Sequence, residues 1–155
     1  MSRLRRSRGR RLAEIFLMVR LWAFVSVLPA LLAVCSVTRL LRVCDLGAPR
    51  PPEDPSLIVA CVGSVFARHP GTSRSLCLKR SLTLYRFLGG PASGLQVCFG
   101  VRYAAEGPPL GQRWRRLEGH AWLLRSGVPY LETGDPDFRR FRVVFLHPSR
   151  EPSIA

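Results

Sequence analysis

From Leu21 to Thr38, eighteen residues pass without a charge, and this run constrains the fold more than any other stretch of the chain. Water does not solvate such a segment well, so a bilayer, the rest of the chain or a partner must cover it. Its length is the lower edge of a transmembrane span, since about 20 apolar residues are needed to cross a bilayer core. Three readings compete. A signal peptide has a basic start, an apolar run and a small-residue cleavage site. MSRLRRSRGRR supplies the start, but the run is long, and LAVC35 puts bulky Val34 where a lipoprotein site wants a small side chain. A membrane anchor with the basic arm on the inner side is the second reading. The third is one or two hydrophobic helices, bent near Pro29 and packed on the domain or on a partner. Arg20, Arg39 and Arg42 interrupt the apolar pattern, which favours the third.

The chain then divides into a basic arm at 1–11, hydrophobic helices at 12–46, a Pro-rich linker GAPRPPEDPS at 47–56, a folded core at 56–148 and a tail at 149–155. With 155 residues, 47% of them hydrophobic, there is enough for one domain with a buried core. Ile58, Val62, Val65 and Phe66 share one face of a helix over 56–69, which Pro70-Gly71 stops. A second helix is expected over roughly 75–88, with Thr72, Ser73 and Ser75 as candidate caps and Leu78, Leu82 and Tyr85 on one side. Strand-like segments follow. LQVCFGVRY alternates, with Gly100 marking a bulge. HAWLLR and VPYLE form a hairpin about Ser126-Gly127, and FRVVFLHP is a last strand. Helices first, then an antiparallel sheet of three or four strands, is an α+β order.

The formal charge is +14, which permits nucleic acid, anionic lipid or acidic peptide as a partner and chooses none of them. The basic arm and the loop QRWRR at 112–116 are candidates for such contacts, with solvated surface as the ordinary alternative, and a nucleic-acid role is not expected. The five cysteines, 35, 44, 61, 77 and 98, include no C-x-x-C, and His69, His120 and His147 show no metal-binding spacing. No metal or cofactor is expected, and free thiols fit a reducing cytoplasm.

Cys77 is the exception among these thiols. It opens an amphipathic helix, where the positive end of the helix dipole and unpaired backbone N–H groups favour a thiolate and can hold an oxyanion. His120 stands near the start of a strand, where an imidazole can take a thiol proton and return it to a leaving amine. A lone Cys or His of this kind is ordinarily a packed core residue. The joint order of thiol at a helix start, then His, then an acid on the next strand, points instead to a catalytic triad.

CLKRSLTLYRFL, LQVCFGVRY and GHAWLLRSGVPYLE together resemble the lasso-peptide biosynthesis B proteins, in their transglutaminase-like protease part. The shared signature is a helix opening C-L-x-R-S-L, a strand ending G-V-R and H-A-W opening a hairpin, over about residues 56 to 147. The resemblance implies a transglutaminase-like or papain-like cysteine protease core, its Cys helix packed on a small antiparallel sheet behind hydrophobic N-terminal helices. It implies a peptidase that cuts the leader from a ribosomally made precursor, using Cys77 as nucleophile and His120 as general base and acid. An ATP-dependent macrolactam cyclase would act next. A separate protein would recognise the leader, since no such domain fits before residue 50. The expected location is cytoplasmic, with membrane association through 12–46 left open. The chemistry also admits an acyl transferase, or a binding module with an inert Cys77.

The family places Asn and then an acid twelve residues after the His; here those positions hold Leu131 and Glu132, with Asp135 as the competing acid. Strand geometry depends on the turn. A three-residue loop sets Trp122 opposite Glu132, whereas a two-residue turn pairs His120 with Thr133 and brings Asp135 to the catalytic face. Glu132 is preferred. Trp122 and Arg80 follow the family pattern as candidate substrate contacts. Tyr85 and Cys35, Cys44, Cys61 and Cys98 read as packing residues, and His69 and His147 carry no signal.

Overall fold

A computed structural model of the chain describes residues 2–46, 54–68, 75–103, 117–131 and 140–149. The linker residues 47–53, His69, the candidate caps Thr72 and Ser73, the QRWRR loop, Glu132 and Asp135 lie outside the described residues. Helix α1 runs from Ser2 to Val34 and continues through Pro29; the chain turns at Cys35 and Ser36 instead. The backbone of the basic arm is thus the first turns of the same helix. Ser36 starts α2, Val37–Leu46, where its Oγ accepts the Arg39 N–H at 3.4 Å. Asp54 and Pro55 start α3, Pro55–Arg68, and the Asp54 carboxylate accepts the N–H groups of Ser56 and Leu57. Helix α4 is Leu76–Phe87, followed by a short 3₁₀ turn at Gly90–Ser93.

The uncharged run is covered on one side by the domain itself. Leu21, Val25 and Leu28, spaced 4 and 3 residues apart, are at most 1% exposed. They join Ile58, Val62 and Val65 of α3, Leu82 and Tyr85 of α4 and Leu95, Val97 and Leu123 of the sheet in one core. The other side of α1 is bare: Leu12, Ile15, Phe16, Val19, Val27 and Val34 are exposed. By length and composition, Arg11–Val34 could cross a membrane.

The sheet is four-stranded and antiparallel, in the order β3-β2-β1-β4, with β1 Leu95–Tyr103, β2 Leu117–Arg125, β3 Val128–Tyr130 and β4 Arg142–His147. Leu95, Val97 and Leu123 face the helices, while Cys98, Trp122 and Phe141 form a second cluster on the other face. The expected irregularity at Gly100 is present as a register shift against β4 between Phe99 and Gly100. Packing gives a further reason for glycine there. A Cβ at Gly100 would lie 2.7 Å from the Trp122 ring and 2.9 Å from the Phe141 Cβ.

His147 takes a part that its sequence context did not announce. Its Nε2 lies 2.8 Å from Asp45 Oδ2, while the Tyr85 hydroxyl donates to Asp45 Oδ1 at 2.6 Å. One carboxylate of α2 thus joins α4 to β4. Tyr85 is core, as its position on α4 suggests, but its hydroxyl is also spoken for. Burial, then the bond to Asp45, pushes the phenol well above its ordinary range, so it remains a donor. Tyr85→Phe should cost about 1.5 kcal/mol, as for a hydrogen bond to a charged acceptor. In a thermal melt that is a fall of roughly 3–6 °C for a domain of this size. An unchanged midpoint would show that the carboxylate is equally well solvated without it.

Candidate active site

Cys77 is the second residue of α4, and the way that helix begins leaves its first turn without a side-chain cap. Ser75 occupies the N-cap position with φ 58 and ψ 35, in the left-handed region, and its hydroxyl makes no capping bond. A capping side chain ordinarily belongs to an extended residue, so the cap expected from Ser75 does not form. The first helical bond runs from the Lys79 N–H to the Ser75 carbonyl at 3.0 Å. The amides of Leu76, Cys77 and Leu78 precede it, the group of donors that a helix start offers to an anion.

Residues 77, 80, 81 and 84 share one face of α4, as spacings of three and four require. That face meets β2. The buried Ser81 hydroxyl donates to the Ala121 carbonyl at 3.0 Å, which fixes α4 against the residue next to His120. Cys77, Arg80, Ser81 and Leu84 then line a cavity of about 40 Å³ with His120, Ala121, Leu123, Tyr130 and Leu131. Its volume suits a few waters or a carbonyl group, not a side chain. A peptide would lie across the opening. The cavity therefore brings together Cys77, His120 and Arg80; Trp122 is not among its lining residues but stacks on His120.

The His120 ring is held by aromatic neighbours. It is stacked on Trp122, 5.8 Å between centroids at 20°, and lies 5.3 Å from the Phe141 ring. Phe141 in turn carries the Arg102 guanidinium 4.4 Å from its centroid, and Arg102 pairs with Glu118 at 2.9 Å. Gly100 stands directly opposite His120 in the β1–β2 ladder, leaving room for Trp122 to lean across. Strand alternation places His120 on the Trp122 face, while Ala121 and Leu123 face α4. The described β2–β3 pairing stops at Leu123 and Tyr130, short of His120.

The hairpin has a two-residue turn. Arg125 pairs with Val128, and Ser126 and Gly127 have φ 53 and φ 79, as a type I′ turn requires. That is the case in which an unbroken ladder would oppose His120 with Thr133 and favour Asp135. Among the described residues the pairing reaches only as far as Tyr130, and Leu131 turns out of the strand at φ 60. Leu131 still lines the cavity.

Ser81, Leu84, Tyr130 and Leu131 were not singled out from the sequence as site residues. The helical spacing from Cys77 was the signal for Ser81 and Leu84. Arg102, the last residue of the G-V-R signature, and Phe141 lie one layer further out, and their contact with each other and with His120 emerges only in the fold.

Three of the remaining thiols separate from Cys77 by burial. Cys44, Cys61 and Cys98 are buried, whereas Cys77 and Cys35 are half-buried. Burial pushes the Cys44 and Cys98 thiols up to about 11 and raises Cys61 as well. At pH 8 only about one in a thousand of the first two is ionised, and the thiolate is the reactive form. Iodoacetamide at that pH should label Cys77 in the folded chain, while peptide mass mapping should find Cys44 and Cys98 labelled only after unfolding in urea. Equal labelling of all three before unfolding would contradict this burial pattern.

Comparison with known families is consistent with this geometry. Residues 18–146 match the model of a family described as the transglutaminase-like superfamily. No curated protein and no solved structure gives a significant match.

Proposed function

This chain belongs to the transglutaminase-like superfamily, and from that premise we propose that it is a cysteine peptidase that removes the leader from a ribosomally synthesised lasso-peptide precursor. The superfamily includes cysteine peptidases and acyltransferases. The observation that carries the assignment of residues is the single cavity lined by both Cys77 and His120. Within the superfamily, the leader-peptidase reading rests on C-L-x-R-S-L at 77–82, G-V-R at 100–102 and H-A-W at 120–122. Gly100, Arg102, His120 and Trp122 from those motifs belong to one packed aromatic stack, which supports reading them as a functional unit.

In this mechanism the Cys77 thiol gives its proton to His120, and Sγ attacks the scissile carbonyl carbon. The oxyanion is held by backbone N–H groups at the start of α4. Collapse breaks the C–N bond, and His120 returns the proton to the departing amine, the new N-terminus of the core peptide. The leader remains as a thioester on Sγ until water, deprotonated by His120, hydrolyses it. A carboxylate orients the imidazole, Arg80 and Trp122 contact the peptide, and no cofactor takes part. A separate recognition protein presents the leader, and an ATP-dependent macrolactam cyclase takes the freed amine.

The test is to incubate the protein with precursor and recognition partner, then weigh the products with and without an added primary amine. Free leader acid and core peptide are expected. An amide between leader and amine would make the protein an acyl transferase, and no product at all would leave a binding module. For the third group, Glu132→Gln should slow release by about 10²- to 10⁴-fold, as loss of a triad carboxylate does. Asp135→Asn should leave the rate within about threefold; the reverse result would move the role to Asp135.

A further inference from the structure

We propose that the outer face of α1 lies in the plane of an anionic membrane surface, with the helix bound along the bilayer and not through it. The face is continuous: Leu12, Ile15, Phe16, Val19, Val27 and Val34 are all exposed, from 51% to 79%. At 1.5 Å per residue it forms an apolar stripe about 33 Å long. Two charged side chains fall within this span: Glu14, which lines a groove beside Ile15 and Val19, and Arg20, whose guanidinium lies over the rings of Phe16 and Phe87. Patches of this kind on a folded domain mark a docking surface.

Two observations choose the occupant and its orientation. The first is charge. The segment that leads into the stripe, RRSRGRR at 5–11, holds five arginines and no acid. A basic segment beside an apolar helix face is complementary to anionic headgroups above acyl chains. A groove of about 570 Å³, mainly apolar, lies where the two meet, lined by Arg11, Glu14, Ile15, Met18, Val19 and Trp22. It could take an acyl chain, with Arg11 at the headgroup level. The second is burial. Arg11–Val34 could span a bilayer by length, but Leu21, Val25 and Leu28 of that helix are at most 1% exposed in the same core as α3, α4 and the sheet. A spanning helix would have to surrender all three, whereas an in-plane helix keeps them and buries only its outer side. This inference is independent of the peptidase reading.

The test is flotation of the full-length protein with vesicles of phosphatidylcholine containing 30% phosphatidylglycerol. Most of the protein should rise with these vesicles in low salt, and at least fivefold less with pure phosphatidylcholine vesicles or in 1 M salt, where charges are screened beyond about 3 Å. Phe16→Glu with Val19→Glu should abolish flotation while leaving near-ultraviolet circular dichroism unchanged, since both side chains point outward. Absence of flotation by the wild type overturns the proposal, as does flotation that survives the double substitution. A wild-type dimer that the double variant converts to monomer, without vesicle binding, would assign the face to a second copy. Retention of the protein in cell membranes after alkaline carbonate extraction would mean a spanning helix.

Discussion

Cys77→Ala is expected to abolish leader release, lowering the single-turnover rate by about 10⁵- to 10⁶-fold, the loss seen when a covalent nucleophile is removed from an intact site. The substitution is well suited to the question because it should barely disturb the fold. Cys77 is half-buried at the start of α4, and alanine is a strong helix former. The helix is held elsewhere, by Ser81 on the Ala121 carbonyl and by Leu82 and Tyr85 in the core. A fall in activity with an unchanged melting temperature therefore reports chemistry. Cys77→Ser separates the thiol's nucleophilicity from its volume and should be nearly as inactive, because a serine hydroxyl is a much weaker nucleophile than a thiol in the same seat. Trapping adds a second readout. With wild type and a slow precursor analogue, intact-mass measurement should show leader attached to the protein, and peptide mapping should place it on Cys77. Leader release by Cys77→Ala at a tenth or more of the wild-type rate would end the cysteine-peptidase reading, whatever the family.

Much of this architecture was legible from local pattern. The four-strand sheet, α3 and α4 follow from periodicity and from punctuation such as Asp54-Pro55 and Ser126-Gly127, whose chemistry is local. Cys77 and His120 stood out because helix start and strand start are positions with distinct physical properties, and both line one cavity. What failed to show has a common cause: it depends on which elements meet. Asp45, Tyr85 and His147 are 40 and 62 residues apart along the chain, and nothing near His147 signals that a carboxylate of α2 awaits it. Packing of the uncharged run was the favoured reading, but which of its sides is covered could not be read for the same reason. Leu21, Val25 and Leu28 have no polarity that distinguishes them from Phe16 or Val19, and only the position of α3 and α4 decides which side of α1 is core. The left-handed turn at Leu131 falls in the same class. Its φ of 60 is one that a branched side chain gives no reason to expect.

His120→Ala is the second decisive substitution, expected to cost about as much as the loss of the nucleophile, roughly 10⁵-fold, and to add nothing when combined with Cys77→Ala. Non-additivity matters here because His120 has another occupation. Its ring is a layer in the stack of Trp122, His120 and Phe141, so a large-to-small change also opens a gap and should lower stability by about 1–3 kcal/mol. Stability loss alone cannot produce a 10⁵-fold fall in a chain that is still folded at the assay temperature, and a melt run beside the assay separates the two effects. His120→Gln refines the separation: glutamine refills much of the gap and keeps polar atoms, but has no group that can carry a proton between thiol and amine. If His120 is the base, both variants are inactive and Gln melts closer to wild type. If the imidazole is only a packed ring on the Trp122 face, on the far side of β2 from α4, His120→Gln retains a tenth or more of the activity. Cys77 would then draw its base from elsewhere around the cavity.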